Sequence, residues 1–512
     1  MRTQHAINNI ILQTSSLLIG ILLYFFITPY LVRELGEYGY GIIQLLTQTI
    51  GYFSIAEFGI GISISVLLYK ELVQNNTDRM NAILSAAQRI YTYIGLSIAG
   101  VGFVLSFFLD NIFSIPTAFR EDTYVAFLFY LAGASFTYFF SVPSILLNAS
   151  QKGYKTYLFQ LLKPILTYFL YFVFIYYGQS IMGISFSSLL VTVWYVLSVH
   201  AKSKKEFPWL NLNYKIKDYS ILIISKYVFV EKLLMLVLFQ TDVVLISYFL
   251  GVNKVASYAL YTVFFYYLKE LIIVGSNNLV NGAGELYHKE GVSRVYLLWR
   301  DTMSIMFFIA TFICIGLYFI FPLFFQIWMN KEMLLSNSIL IFFLLNFFYI
   351  ITLHPTVTII ASQNYYQKRI KGSMIEIGMN ILFSIVLIQK YGVLGALMGT
   401  FIGHYFVNAW FIPMLFFKSI QQPFIKYGII SLKYVFIAAI MLLVTWLFFN
   451  YVIYSIFPKA DGWLIFIQIC LLYAGLLLPI LVLLYWLFDT NFNSAYMRMK
   501  NIVAVMLKSN KY

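Results

Sequence analysis

The sequence predicts an all-α polytopic membrane protein with about 14 transmembrane helices, arranged as two parallel six-helix repeats followed by an appended helix pair. Composition is the first observation behind this prediction. Of the 512 residues, 61% are hydrophobic and only 11% are charged, and the mean hydropathy is +0.82. Soluble domains contain about 45–50% apolar and about 25% charged residues. The chain therefore carries too little charge to cover a surface that faces water.

The second observation is the length of the apolar stretches. A helix needs about 20 apolar residues to cross about 30 Å of hydrocarbon. The stretches lack the short alternating segments of a transmembrane barrel, so helices are favoured. The predicted spans are residues 7–32, 42–69, 84–109, 123–147, 156–177, 181–200, 220–249, 255–280, 296–328, 335–361, 372–389, 392–417, 428–452 and 463–488.

The third observation is the distribution of lysine and arginine, which orients the helices. Basic residues in short loops tend to remain on the cytoplasmic side of the membrane. With the N-terminus inside, about 24 of the 34 basic residues fall in cytoplasmic loops and tails, and only about 6 fall in the opposite loops. If one early span were absent, every later loop would change sides and this asymmetry would disappear. We therefore expect both termini to be cytoplasmic.

A weak internal repeat flanks a basic segment in the middle of the chain. The matching pairs, at nearly one offset, are Ala149-Ser150-Gln151 with Ala361-Ser362-Gln363, Gly183 with Gly395, and Leu35-Gly36 with Leu250-Gly251. Six helices per copy would make the copies parallel, as in transporters that hold substrate between two halves. The predicted domains are an N-terminal six-helix bundle (1–200), a cytoplasmic basic linker (201–219), a C-terminal six-helix bundle (220–417), and the appended pair with a cytoplasmic tail (418–512).

Several features narrow the function. The sequence has no G-x-x-x-x-G-K-[ST] motif for nucleotide phosphates and no Cys/His cluster for a metal, so we expect neither cofactor nor metal. The net charge of +14 follows from the topology signal and from contact with anionic membrane lipids, and requires no nucleic acid. A transporter of this kind must run on a substrate or ion gradient.

Short motifs resemble the Wzx-type flippases of O-antigen and polysaccharide units, which belong to the multidrug/oligosaccharidyl-lipid/polysaccharide (MOP) superfamily. The motifs are Asn9-Ile10-Ile11, Thr28-Pro29-Tyr30-Leu31, Leu35-Gly36, Tyr38-Gly39, Ala56-Glu57-Phe58-Gly59-Ile60-Gly61, Thr241-Asp242, Leu250-Gly251 and Tyr258. The resemblance covers nearly the whole chain in helix count and grouping.

This resemblance implies a transporter, not an enzyme, in the bacterial inner membrane. Its implied substrate is an undecaprenyl-diphosphate-linked oligosaccharide, moved from the cytoplasmic to the outer leaflet by alternating access. It also implies coupling to H⁺ or Na⁺, and polymerase and chain-length proteins as candidate partners.

Intramembrane acidic residues are the candidates for ion coupling, because ionisable side chains are costly in a membrane and tend to be functional. Glu57 lies near the middle of span two among Gly51, Gly59 and Gly61, and Glu231 and Asp242 lie in span seven. A buried carboxylate can bind and release a proton. The structural alternative is an interhelical hydrogen bond, and we favour that alternative for Asp242.

Cationic and amide side chains are the candidates for binding the diphosphate and the sugars. The cations are Arg89, Lys163, Lys232 and Lys269, and the amides are Asn277 and Asn278. A positively charged cavity with low-dielectric walls attracts an anion strongly. The alternatives are topology signals for Arg89 and snorkelling to the interface for Lys232. His404 and Asn408, four residues apart, share a helix face and can also hydrogen-bond sugars.

Two other functions fit less well. A multidrug or cation antiporter shares the architecture, but the extra helix pair and the basic linker disfavour it. A polymerase or ligase enzyme would carry a large outside loop with catalytic residues, and no predicted outside loop is long.

Overall fold

The computed structural model describes residues 2–57, 59–113, 115–150, 152–178, 181–212, 221, 241–280, 290–329, 331–362, 366–458, 461–494 and 496–497. Within these ranges the regular secondary structure is entirely helical. The chain falls into two units, Met1–Tyr261 and Thr262–Tyr512. The four predicted domains stay a prediction.

The first unit contains nine helices in the part of the chain that is described. They are Arg2–Tyr52 (α1), Ile60–Gln74 (α2), Thr77–Ser106 (α3), Leu109–Ile112 (α4), Arg120–Phe139 (α5), Ser141–Ala149 (α6), Tyr157–Tyr176 (α7), Ile181–Glu206 (α8) and Thr241–Leu250 (α9). Helix α10, Val252–Val280, begins in this unit and continues into the second.

The helices of the second unit after α10 are again given as far as the chain is described. They are Val292–Trp328 (α11), Asn337–Ser362 (α12), Tyr366–Tyr391 (α13), Val393–Gly403 (α14), Ala409–Ser419 (α15), Ile425–Phe448 (α16), Tyr454–Ile456 (α17), Gly462–Leu472 (α18) and Leu478–Phe488 (α19). Short π-helical segments at His404–Asn408, Phe449–Ile453 and Tyr473–Leu477 join α14 to α15, α16 to α17, and α18 to α19.

Ten described helices are long and apolar enough to cross a membrane, and the pair α5–α6, bent by 52°, raises this number to eleven. The ten correspond to predicted spans one, three, five, six and nine to fourteen, and the bent pair corresponds to span four. Span two is broken, and most of span seven lies outside the described residues. Large side chains on the outward faces are exposed, among them Leu432 at 70% and Leu464 at 71%. The predicted class, an all-α polytopic membrane protein, is confirmed.

The repeated Leu-Gly pair marks the same local geometry in both places. Gly36 interrupts α1 with a φ of 68°, and Gly251 separates α9 from α10 with a φ of 87°. Only glycine adopts such positive φ values at little steric cost. Both glycines therefore end one helix and start the next, which supports the predicted repeat.

Close helix contacts in both units depend on glycine. A Cβ atom on Gly102 of α3 would lie 2.2 Å from Leu131 of α5. In the second unit, a Cβ on Gly395 or Gly399 of α14 would lie 2.2 Å from Leu387 or 2.1 Å from Ser384 of α13. Small residues at these points allow helix backbones to approach closely, a common way of packing membrane helices.

The core of the second unit is rich in aromatic side chains. Trp299 of α11 is fully buried, and its ring centroid lies 5.1 Å from those of Phe416 and Phe417. Its indole N–H donates to Thr356 at 2.9 Å. Tyr434 of α16 stacks on Phe307 of α11 at 4.6 Å. The appended helices thus share one core with α11.

Candidate functional site

Glu57 lies where predicted span two is broken. The chain leaves α1 at Tyr52, forms a 3₁₀ segment over Phe53–Glu57, and starts α2 at Ile60 after Gly59, whose φ is 69°. Breaks of this kind within a membrane are tolerated where protein or a cavity surrounds them. The glycines around Glu57 lie at such a break.

The Glu57 carboxylate packs between α2 and α3. Its Oε1 accepts a hydrogen bond from the hydroxyl of Tyr91, 3.1 Å away, and Tyr91 is 1% exposed. The ring of Tyr138 stacks on Tyr91 at 6.2 Å. A Cβ on Gly61 would lie 2.7 Å from the same carboxylate oxygen. Gly61 therefore leaves room for the carboxylate within the helix packing.

Lys163 lies near the middle of α7, beside Pro164. Its ammonium nitrogen lies 5.1 Å from the ring centroid of Tyr195, a cation–π contact. Among the described residues Lys163 has no carboxylate partner. Its side chain is half-buried, and no residue of the apolar window of α7 is fully buried. An intramembrane cation with only an aromatic neighbour is suited to an anionic ligand.

Arg89 resembles Lys163 in its surroundings. Its guanidinium lies 5.8 Å from the ring of Tyr93, one turn further along α3, and the described residues give it no carboxylate partner. Arg89 is two residues from Tyr91, so the two side chains leave the helix in opposing directions. Arg89 and the Glu57–Tyr91 pair thus belong to different faces of α3.

The other intramembrane cation that is described has an acidic partner. Lys269 pairs with Glu270 at 3.0 Å, and its ammonium lies 4.8 Å from the ring of Tyr266. Its charge is therefore already largely compensated. This makes Lys269 a weaker candidate for an anion than Lys163.

Asp242 makes an interhelical hydrogen bond, the structural role that the sequence analysis favoured for it. It is 6% exposed, and its Oδ2 accepts a hydrogen bond from Tyr258 at 3.0 Å. Glu231 and Lys232 lie outside the described residues, so their roles stay predictions. Asn277 and Asn278 belong to the described backbone of α10, but their side chains do not.

The sequence analysis named His404 and Asn408 but missed Glu376, which they contact in the second unit. Glu376 of α13 is 4% exposed and accepts hydrogen bonds from His404, at 2.8 Å, and from the amide of Asn408. Tyr349 of α12 stacks on the His404 ring at 4.3 Å. An acidic residue inside span eleven was the signal in the sequence that pointed to Glu376.

A second cluster, which the sequence analysis missed, joins the end of α19 to α11 and α16. Asp489 is 2% exposed and accepts hydrogen bonds from Lys433 at 2.6 Å, from Tyr434 at 3.1 Å and from Ser304. Buried charges in proteins are normally paired and hydrogen-bonded in this way. The cluster anchors the chain directly after the last membrane helix. No group of three or more His, Cys, Asp or Glu side chains suited to a metal ion occurs among the described residues.

The described residues thus define a multi-spanning helical membrane protein with a few buried charges. The chain belongs to the family described as polysaccharide biosynthesis protein, whose model matches residues 6–274, just over half of the chain. No curated protein sequence matches it.

Several solved structures share the fold. The lipid II flippase MurJ, in an inward closed conformation, has a TM-score of 0.70 at 15% identity, over 93% of this chain and 98% of that chain. A multidrug resistance MATE family transporter of the MOP superfamily, inward-facing, has a TM-score of 0.61 at 14% identity, over 82% and 95%. A mutant of the MATE transporter VcmN from Vibrio cholerae has a TM-score of 0.58 at 14% identity, over 81% and 97%.

The resemblance to Wzx-type flippases of the MOP superfamily, drawn from short motifs, is thus confirmed at the level of family and fold. The named neighbours are flippases and transporters and not enzymes. At such low identity they establish the fold alone.

Proposed function

We propose that the protein flips an undecaprenyl-diphosphate-linked oligosaccharide from the cytoplasmic to the outer leaflet of the bacterial inner membrane. Alternating access of the two halves would carry the headgroup across, as in other transporters built from repeats. Both termini lie in the cytoplasm in this proposal. The polysaccharide biosynthesis family and the flippase fold support the substrate class.

The position of Lys163 within a membrane helix is the observation that carries the proposal. A cation within a membrane helix that has no carboxylate partner among the described residues is costly, and such residues commonly mark the path of a substrate. A diphosphate offers concentrated negative charge in return. Tyr195, whose ring already lies 5.1 Å from the Lys163 ammonium, supports the cation through its π face.

The remaining candidates from the sequence are assigned to the headgroup as well. Arg89, with a planar guanidinium suited to bidentate phosphate contacts, would receive the loaded lipid near the cytoplasmic side. Lys232 and Lys269 would add positive charge, and Asn277 and Asn278 would hydrogen-bond sugar hydroxyls. Of these, Lys269 must exchange its Glu270 partner for the substrate.

Coupling to H⁺ or Na⁺ is assigned to carboxylates in this proposal. Glu57 is the first candidate, because it lies at a helix break and shares a hydrogen bond with Tyr91. Glu231 and Asp242 are the further candidates. A carboxylate that gains and loses a proton changes its hydrogen bonds, and a broken helix can follow such a change.

The partners in this proposal are anionic membrane lipids, which contact the basic cytoplasmic loops, and the polymerase and chain-length proteins that receive the flipped unit. An antiporter of drug cations is the second candidate, favoured by the fold shared with MATE transporters. The Glu57 carboxyl group fits a cationic drug, whereas Lys163, which has no carboxylate partner among the described residues, does not.

A deletion strain tests the proposal. We expect loss of surface polysaccharide, with intact lipid-linked units trapped at the inner leaflet, and rescue by the wild-type gene. Units that reach the outer leaflet without being polymerised would instead indicate a polymerase or ligase. Unchanged polysaccharide with raised sensitivity to cationic drugs would indicate the antiporter.

A further inference from the structure

Glu376, His404 and Asn408 form a closed polar cluster inside the apolar second unit. All three are at most 4% exposed, and all lie within helices long and apolar enough to span the membrane. His404 and Asn408 are the first and last residues of a π-helical segment. Single-turn π segments within α-helices occur frequently at functional sites.

The hydrogen bonds of the cluster leave one acceptor unused. Both carboxylate oxygens of Glu376 accept, one from Nδ1 of His404 at 2.8 Å and one from Nδ2 of Asn408. The Oδ1 atom of Asn408 is buried and has no hydrogen-bond partner among the described residues. Buried carbonyl oxygens without a donor are rare, because each one loses its hydrogen bonds to water. The orphaned acceptor therefore indicates a missing donor.

A proton on Glu376 can supply that donor once the amide turns. Neutral Glu376 carries an O–H group, and a half-turn of the Asn408 amide brings Oδ1 to face it, so that O–H···Oδ1 replaces N–H···O and Nδ2 moves to the former position of Oδ1, beside Gly372. His404 continues to donate to the other carboxyl oxygen. The Asn408 amide lies against Gly372, where a Cβ would approach Oδ1 to 2.8 Å. Because Gly372 has no side chain, it leaves space beside the amide for this rotation.

Other titratable groups also face the cluster. Tyr349 of α12 stacks on His404. The Tyr349 hydroxyl is close enough to Glu376 and to Arg369 to interact electrostatically with both. Arg369 lies two turns before Glu376 on α13. The remaining groups near Tyr349 are Tyr405 and Tyr427, whose hydroxyls donate to the carbonyls of Leu345 and Ala409. Glu376 and His404 are thus the groups of the cluster that can exchange a proton without breaking a bond to the backbone.

We propose that Glu376, His404 and Asn408 form a proton-binding site in the second unit, separate from Glu57. The site takes up one proton on the Glu376 carboxylate and rearranges the Asn408 amide. In transport, this proton is exchanged with the gradient together with the proton on Glu57, so that coupling requires both carboxylates, a role that rests on the function proposed above. The proton-binding step itself does not depend on the substrate.

Infrared difference spectroscopy of the purified protein in lipid nanodiscs tests proton binding directly. As the pH is lowered, we expect the C=O stretch of a protonated buried carboxyl group, which Glu376→Gln abolishes and Glu332→Gln, at an exposed position, leaves unchanged. A carboxyl band that does not titrate, or one that survives in Glu376→Gln, would show a fixed hydrogen bond and overturn the site.

Flipping in proteoliposomes separates the site from the function. Transport driven by a pH gradient should lose its dependence on that gradient in Glu376→Gln. A titrating band combined with unchanged gradient dependence would overturn the coupling role of the site. A wild-type protein that flips no diphosphate lipid would contradict the proposed function. The infrared band would still show whether Glu376 binds a proton.

Discussion

The hydroxyl of Tyr91 donates to the carboxylate of Glu57 across 3.1 Å, at the point where the second predicted span changes from a 3₁₀ segment to an α-helix. A hydrogen bond to a charged group contributes about 1.5–3 kcal/mol. A hydrogen bond between neutral groups contributes only about 0.5–1.5 kcal/mol. The pair therefore connects the charge of one residue to the contact between α2 and α3.

Glu57→Gln should abolish the effect of an ion gradient on transport while leaving membrane insertion and folding intact. The glutamine keeps the size of the side chain and an acceptor for Tyr91 but cannot gain or lose a proton. Transport in proteoliposomes with and without a gradient measures this, with Glu37→Gln, at an exposed position of α1, as the control. Undiminished gradient dependence in Glu57→Gln would remove Glu57 from coupling.

Lys163→Ala should weaken binding of undecaprenyl-diphosphate lipids by about tenfold or more, since each 1.4 kcal/mol corresponds to about a factor of ten. Lys163→Arg should lose less, because it keeps the charge. Lys390→Ala, which removes an exposed lysine in contact with Tyr391, is the matched control. Binding is measured by native mass spectrometry with a diphosphate lipid and a neutral isoprenoid. Equal loss for both lipids would indicate a structural lysine.

Gly399→Ala should destabilise the α13–α14 pair, because the added Cβ would lie 2.1 Å from Ser384. Overpacking of this kind costs about 1–3 kcal/mol. Gly378→Ala, on the same helix pair but with open space around it, should be neutral or slightly stabilising. Thermal unfolding in detergent compares the two variants. Equal melting temperatures would show that α13 and α14 can move apart to accommodate the methyl group without a loss of stability.

Asp489→Ala should lower stability more than any exposed ion-pair substitution. The change leaves Lys433, Tyr434 and Ser304 without their shared acceptor. Removing one partner of a buried pair costs about 3–5 kcal/mol, whereas an exposed pair contributes about 0–1 kcal/mol. Asp110→Ala, which breaks the partly exposed pair with Arg120, is the control. Equal melting temperatures of the two variants in the same thermal unfolding assay would contradict the anchoring role of Asp489.

Single-cysteine labelling should confirm the orientation. With Cys314 and Cys470 replaced by serine, Lys331→Cys should react with an impermeant maleimide in intact cells, and Lys204→Cys should react only after permeabilisation. The physical reason is the retention of basic loops in the cytoplasm. The reverse labelling pattern would show that the chain has the opposite orientation in the membrane.

Properties that depend on local sequence were predictable. Apolar length located the spans, and Leu35-Gly36 and Leu250-Gly251 lie between predicted spans, where glycine adopts a positive φ at little steric cost. The break in span two was not predicted, since the glycines near Glu57 do not show where the helical hydrogen bonds stop.

Pairings between distant helices were not predictable. The i, i+4 spacing put His404 and Asn408 on one face, but Glu376 lies on another helix, and Asp489 reaches Ser304 across 185 positions of sequence. Which carboxylate meets which donor depends on helix rotation in the packed unit. Lys163 was predictable as an intramembrane charge, whereas its lack of a carboxylate partner among the described residues became visible only in the structure.

Flipping of a fluorescent undecaprenyl-diphosphate-linked saccharide by the purified protein tests the central claim most directly. In proteoliposomes, the wild type should move the lipid to the opposite leaflet, where an impermeant quencher reports its arrival, and Lys163→Ala should be much slower than Lys390→Ala. Equal rates in protein-free liposomes and in those holding the wild type would contradict the account.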